Sequence, residues 1–133
     1  MSLESVVDPV PPVHLDGVDG IFVLAEGPTH EQHLYEGSVK KFGNHGLLFE
    51  DGFLKYVEAM HGHQGEYKPL SGGFMQIDER RRIIHVYGKS SSLKRFDEST
   101  VAKLLGVYLK ENRPEYTLEI HPLDQPYQRE IIH

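Results

Sequence analysis

Phe74-Met75-Gln76-Ile77-Asp78-Glu79-Arg80-Arg81-Arg82-Ile83-Ile84-His85-Val86-Tyr87-Gly88 is the stretch that decides the fold. Two runs rich in β-branched and aromatic residues flank a polar break, so Phe74–Asp78 and Ile83–Tyr87 read as a hairpin closed by Asp78-Glu79-Arg80-Arg81. Arg80-Arg81-Arg82 then reads as a solvated turn. Gly88 stops the second strand. Lys89-Ser90-Ser91-Ser92 follows at once, a loop of small residues whose backbone N–H groups can wrap an anion because no bulky side chain blocks the approach. A polar strand-to-helix connector is the alternative reading of the same loop. His85, at a strand centre, reads as a satisfied sheet residue.

Upstream of the hairpin, Asp19-Gly20 opens the apolar run Ile21–Ala25, and Gly27-Pro28-Thr29 breaks it. Gln32–Glu36 reads as the return strand, ended by Gly37. Residues 44–60 predict the first helix, with Leu48, Phe53, Leu54 and Val57 near helical spacing and Gly62 as the stop. Gly52 in its middle costs about 1 kcal/mol relative to alanine. Glu66-Tyr67-Lys68 reads as a further short strand. Downstream, Asp97 or Ser99 caps a second helix whose apolar face is Val101, Leu104, Leu105, Tyr108 and Leu109. Asn112 and Pro114 end it, and Tyr116–Ile120 alternates as a last strand. Strands therefore cluster between two helices without regular β-α alternation. That order predicts an α+β fold, a single mixed sheet of about six strands with two helices.

The bulk composition fits one soluble domain. The chain has 133 residues, 38% hydrophobic and 26% charged, enough to bury roughly two-thirds of its unfolded surface. Residues 1–16 read as a flexible lead-in, 17–120 as the domain and 121–133 as a polar tail. The absence of cysteine excludes disulfides, thiolate metal sites and a cysteine nucleophile. The first twelve residues lack a basic n-region and an apolar core, and no apolar run approaches the ~18 residues of a membrane span. A cytoplasmic monomer that uses neither membrane nor cofactor is the expectation. The net charge of −6 argues against nucleic-acid binding, whose affinity comes mainly from neutralising phosphates.

Two groups of residues carry candidate chemistry. Asn44-His45-Gly46 sits at the predicted helix start, where free amides and the positive end of the dipole favour an anion. The same field disfavours imidazolium, so His45 is suited to remain neutral at pH 7, as a general base must. A simple cap or surface histidine is the alternative. His61-Gly62-His63 is the second group, with alternate residues on one face as for two metal ligands. His33, His45 or Glu66 would have to supply a third ligand, and no recognised ligand signature is present. An exposed loop is the alternative, and no metal site is assigned.

Ile84-His85-Val86-Tyr87-Gly88, with a serine two residues on and Gly72-Gly73 upstream, resembles the protein phosphohistidine phosphatase (Janus/Ocnus) family. The resemblance spans about residues 17–120 and implies that family's fold and a metal-independent phosphatase. In the family a lysine-aromatic pair precedes a histidine at the first helix, the proposed catalytic base. Lys41-Phe42 followed by His45 matches that pattern, one residue shorter. The family holds phosphate with backbone amides just after Tyr-Gly, which carries onto Ser90, Ser91 and Ser92, with Lys89 beside them and Gly46 at the helix start. The implied substrate is a phosphohistidine-containing protein.

Three family basic positions differ, since Val23, Gly37 and Phe74 stand where lysine, arginine and arginine are common. Charge-assisted hydrogen bonds are worth about 1.5–3 kcal/mol each, so losing all three can remove roughly 4 kcal/mol or more, about a thousandfold in rate. Lys40, Lys41 and Lys89 are the residues placed to compensate. Without compensation the chain would be a non-catalytic phosphate-binding or protein-interaction module on the same fold.

Overall fold

The computed structural model describes residues 10–16, 19–62, 65–90 and 92–124. Among the described residues seven strands form one mixed sheet: β1 (Val13–Leu15), β2 (Asp19–Glu26), β3 (Gln32–Ser38), β4 (Lys68–Asp78), β5 (Ile83–Tyr87), β6 (Lys94–Arg95) and β7 (Thr117–Ile120). Their order is β1-β3-β2-β4-β5-β7, with β6 pairing to β4 beyond the end of β5. Three pairings are parallel, β1 with β3, β4 with β6 and β5 with β7, and the rest are antiparallel. Among the same residues three helices accompany the sheet. A short α1 covers Val39–Phe42. The second, α2, runs through His45–Leu47, a π-helical Leu48–Phe53 and Leu54–His61, and α3 covers Glu98–Asn112. The molecule is α+β.

Alternation along the strands gives the sheet two apolar faces. Phe22, Leu24, Met75, Ile84 and Val86 point to one, where Val101, Leu105 and Leu109 of α3 cover them. Ile21, Val23, Ala25 and Tyr35 point to the other, under Phe42, Leu48, Phe49, Phe53 and Val57 of α1 and α2. Asp97 caps α3 by accepting from the Thr100 amide at 3.1 Å, and Asn44 caps α2 by accepting from the Leu47 amide at 2.9 Å.

Four expectations change in detail. Residues 13–15 are a strand rather than lead-in, with Val10 and Val13 buried. The Asp16 amide fastens that strand by donating to the buried Glu36 carboxylate at 2.8 Å. Residues 39–42, ahead of the expected first helix, add the single turn α1 to the two helices expected, because Ser38 caps the Lys40 amide. Of the strand expected at 66–68 only Lys68 is in a strand, and it opens an eleven-residue strand that runs on through the one expected at 74–78. Gly72 and Gly73 are no break within it. A Cβ on Gly73 would lie 2.7 Å from the Phe96 ring, and one on Gly72 would lie 2.7 Å from both the His45 ring and the Phe22 carbonyl. The strand is thinned there so that side chains can press on it from both faces. Finally, β6 is an added two-residue strand, which brings the loop after Gly88 back onto β4.

Candidate functional site

The register of β4 locates the loop that follows Gly88. Tyr87 pairs with Phe74, and Arg95 pairs with Gly72. The chain between them must leave the sheet and return to the edge of β4 beside Gly72-Gly73. Gly88 starts the excursion at φ 70, a left-handed value natural to glycine. A Cβ there would also meet the Phe74 ring at 2.7 Å. Arg95, at the far end of the excursion, ties back to its start by donating to the Gly88 carbonyl at 2.7 Å, and it also donates to the His121 carbonyl beyond β7 at 3.0 Å.

His45 arrives at the same two glycines from the helical side. It is 4% exposed, and its Nε2 lies 2.8 Å from the Gly73 carbonyl. A carbonyl only accepts, so Nε2 carries the proton and Nδ1 keeps its lone pair. Among the described residues Nδ1 has no hydrogen-bond partner. Burial lowers the His45 pKa from its ordinary 6.5, partly offset by the bond to Gly73. The ring stands edge-on to Phe74 with centroids 5.4 Å apart, and Phe74 stacks on Tyr87 at 5.8 Å. One aromatic side chain thus touches both the histidine and the strand that feeds the loop. The buried position departs from the surface cap weighed from sequence. Leu48 and Phe49 bury the first turns of α2, and the missing side chain of Gly72 makes the room.

The other sequence-chosen residues divide. Gly46 is exposed beside His45 in the first turn, where helix amides lack intrahelical acceptors. Lys89 is exposed, and its amide makes no hydrogen bond among the described residues. The Ser90 amide, expected to be free, donates to the Gly72 carbonyl at 3.2 Å. The Ser92 and Leu93 amides both donate to Ser90 Oγ, at 3.2 and 2.9 Å. Ser90 is therefore the buried pivot of the loop rather than an open donor. Ser91 lies outside the described residues, as does His63 of the histidine pair, while His61 Nε2 is 3.2 Å from the Tyr56 hydroxyl. Lys40 and Lys41 are exposed.

Packing sets the three positions at which the resemblance led to an expectation of basic residues. Val23 is fully buried in the core under α2. Gly37 leaves no room, since its Cβ would lie 2.8 Å from both Leu48 and Phe42. Phe74 packs against His45 and Tyr87. Apolar packing occupies all three positions.

A second cluster was missed in sequence. His85 pairs with Glu119 across the parallel β5–β7 ladder, and His121 lies two residues further on the same face. The imidazoles approach at 3.0 Å, Nδ1 of His85 to Nε2 of His121. Glu119 Oε1 is 3.7 Å from the first and 3.9 Å from the second. This is a second binding or catalytic candidate, next to the Phe74–Tyr87 aromatic pair. The signal available was the Glu-x-His spacing at the end of the last strand. Which strand it would join was not visible.

The chain matches no known family model, and no curated protein is significantly similar to it in sequence. Among the described residues no helix is long and apolar enough to cross a membrane.

Proposed function

We propose that the chain is a phosphatase that removes the phosphoryl group from phosphohistidine, or a related phosphoramidate, in proteins. The observation that carries this reading is the hydrogen bond from His45 Nε2–H to the Gly73 carbonyl. It selects one neutral tautomer and leaves Nδ1 as a base beside a glycine-led loop. In the reaction His45 Nδ1 accepts a proton from water, whose oxygen forms the new bond to phosphorus as the P–N bond breaks. Protonation of the leaving imidazole by solvent completes the balance. The amides of Lys89 and Gly46 are the donors for charge on the phosphoryl oxygens, with Lys89, Lys40 and Lys41 supplying positive charge. The labile P–N bond asks little more of the protein, and no step is assigned to a metal.

Apolar side chains at Val23, which is buried, and at Phe74, which is partly buried against His45 and Tyr87, favour a second reading, a non-catalytic phosphate-binding or interaction module. Hydrolysis of a phosphohistidine peptide separates the two. The phosphatase turns it over, and His45→Gln, which keeps a donor for Gly73 but removes the base, lowers the rate about 10²–10⁴-fold. Binding without turnover by the parent chain selects the module.

A further inference from the structure

We propose that His85, Glu119 and His121 form a binding site for a divalent transition-metal cation of the zinc class. The three donor atoms form a triangle with sides of 3.0, 3.7 and 3.9 Å. The circle through them has a radius of about 2.1 Å, which is the length of a zinc–imidazole or zinc–carboxylate bond. A cation near its centre reaches all three donors at once, with a further position left for water or another ligand. Two imidazoles and one carboxylate favour zinc, copper, nickel or cobalt over magnesium and calcium, which prefer all-oxygen shells.

The fold holds part of this site rigid and leaves part adjustable. His85 is buried in the middle of β5, with its register fixed by β4 on one side and β7 on the other. His121 and Glu119 are more exposed, with side chains 23% and 51% accessible. The facing nitrogens share a hydrogen bond, and their ring planes lie within 27°. On metal binding the ring that carries the shared proton takes its other tautomer, its ligating nitrogen losing the proton to solvent and its far nitrogen gaining one, and the His121 ring turns so that both lone pairs converge toward Glu119. The bound cation would clasp β5 to the end of β7. The His121 carbonyl also accepts from Arg95, which holds Gly88, so the clasp reaches the base of the 88–92 loop. None of this depends on the phosphatase reading.

The test is titration of tag-free, chelator-treated full-length protein with Zn²⁺ by calorimetry and with Co²⁺ by visible absorption. The expected result is saturable one-to-one binding and a Co²⁺ spectrum of low coordination number, with no response to Mg²⁺. His121→Ala and Glu119→Gln should each weaken binding tenfold or more, while His61→Ala leaves it unchanged. Glu119→Gln alters a half-exposed side chain, and its melting curve reports whether the fold is intact. Absence of saturable binding would overturn the proposal. So would parental affinity in both His121→Ala and Glu119→Gln, or loss of binding in His61→Ala alone.

Discussion

His45 carries a structural and a chemical task with its two ring nitrogens. Nε2–H satisfies a buried carbonyl, and Nδ1 is left for chemistry. Its removal therefore has two consequences. His45→Ala leaves the Gly73 carbonyl without its donor and should destabilise the fold by about 1–3 kcal/mol, more than a surface cap would. His45→Gln should recover much of that loss without recovering the base. Burial also couples the residue to pH. Its folded pKa lies below the ordinary 6.5, so the unfolded chain takes up the proton first as pH falls. The neutral ring's contribution to stability is complete above 6.5 and is lost on acidification through the depressed folded value. Thermal melts from neutral to acidic pH should show that component in the parent and lack it in His45→Gln. The helix-start position was legible from Asn44-His45-Gly46; the neutral ring expected from the helix field is favoured in the structure by burial instead. The burial was not legible, because the space for the ring belongs to Gly72, twenty-seven positions away in the chain.

Among the elements, α2 and the Gly88 loop show how packing revises a local reading. Gly52 looked like a defect in a helix. It lies in the π-helical turn, where a Cβ would be 2.9 Å from the Tyr35 ring and 3.1 Å from the Phe42 ring. Gly52→Ala would stabilise an ordinary exposed helix by about 1 kcal/mol. Here the denaturant midpoint should fall, because neither ring can retreat from the packed core under α2. The hairpin of β4 and β5 was read correctly from Phe74 to Tyr87, since turn chemistry and strand propensity agree there. Asp78 closes the turn through the Arg80 and Arg81 amides at 3.1 and 3.0 Å. The loop beyond Gly88 was legible as small and polar but not in its hydrogen bonding. Ser90 turns inward because the Gly72 carbonyl and two loop amides converge on it.

For the whole molecule, the sheet separates two cores, and both borrow from β1 and the residues just before it. Val13 joins the core under α3, and Val10 joins the one under α2. Deleting residues 1–16 should lower stability by about 3 kcal/mol or more, from the burial of those two side chains alone, read as a drop in the urea midpoint. The α+β class and both principal helices followed from local periodicity. Parallel edge pairings did not, since β1–β3 and β5–β7 join segments far apart in sequence with no turn to announce them. For the same reason Glu119 and His121 went unseen beside His85. The central claim is that His45 and the Gly88 loop, meeting over Gly72-Gly73, form one phosphoryl site. Its most direct test is a crystal structure of the protein with bound inorganic phosphate. The account predicts the anion between His45 Nδ1 and the Lys89 amide, within hydrogen-bond distance of both. Phosphate bound elsewhere, with His45 and the loop vacant at saturating concentration, would contradict it.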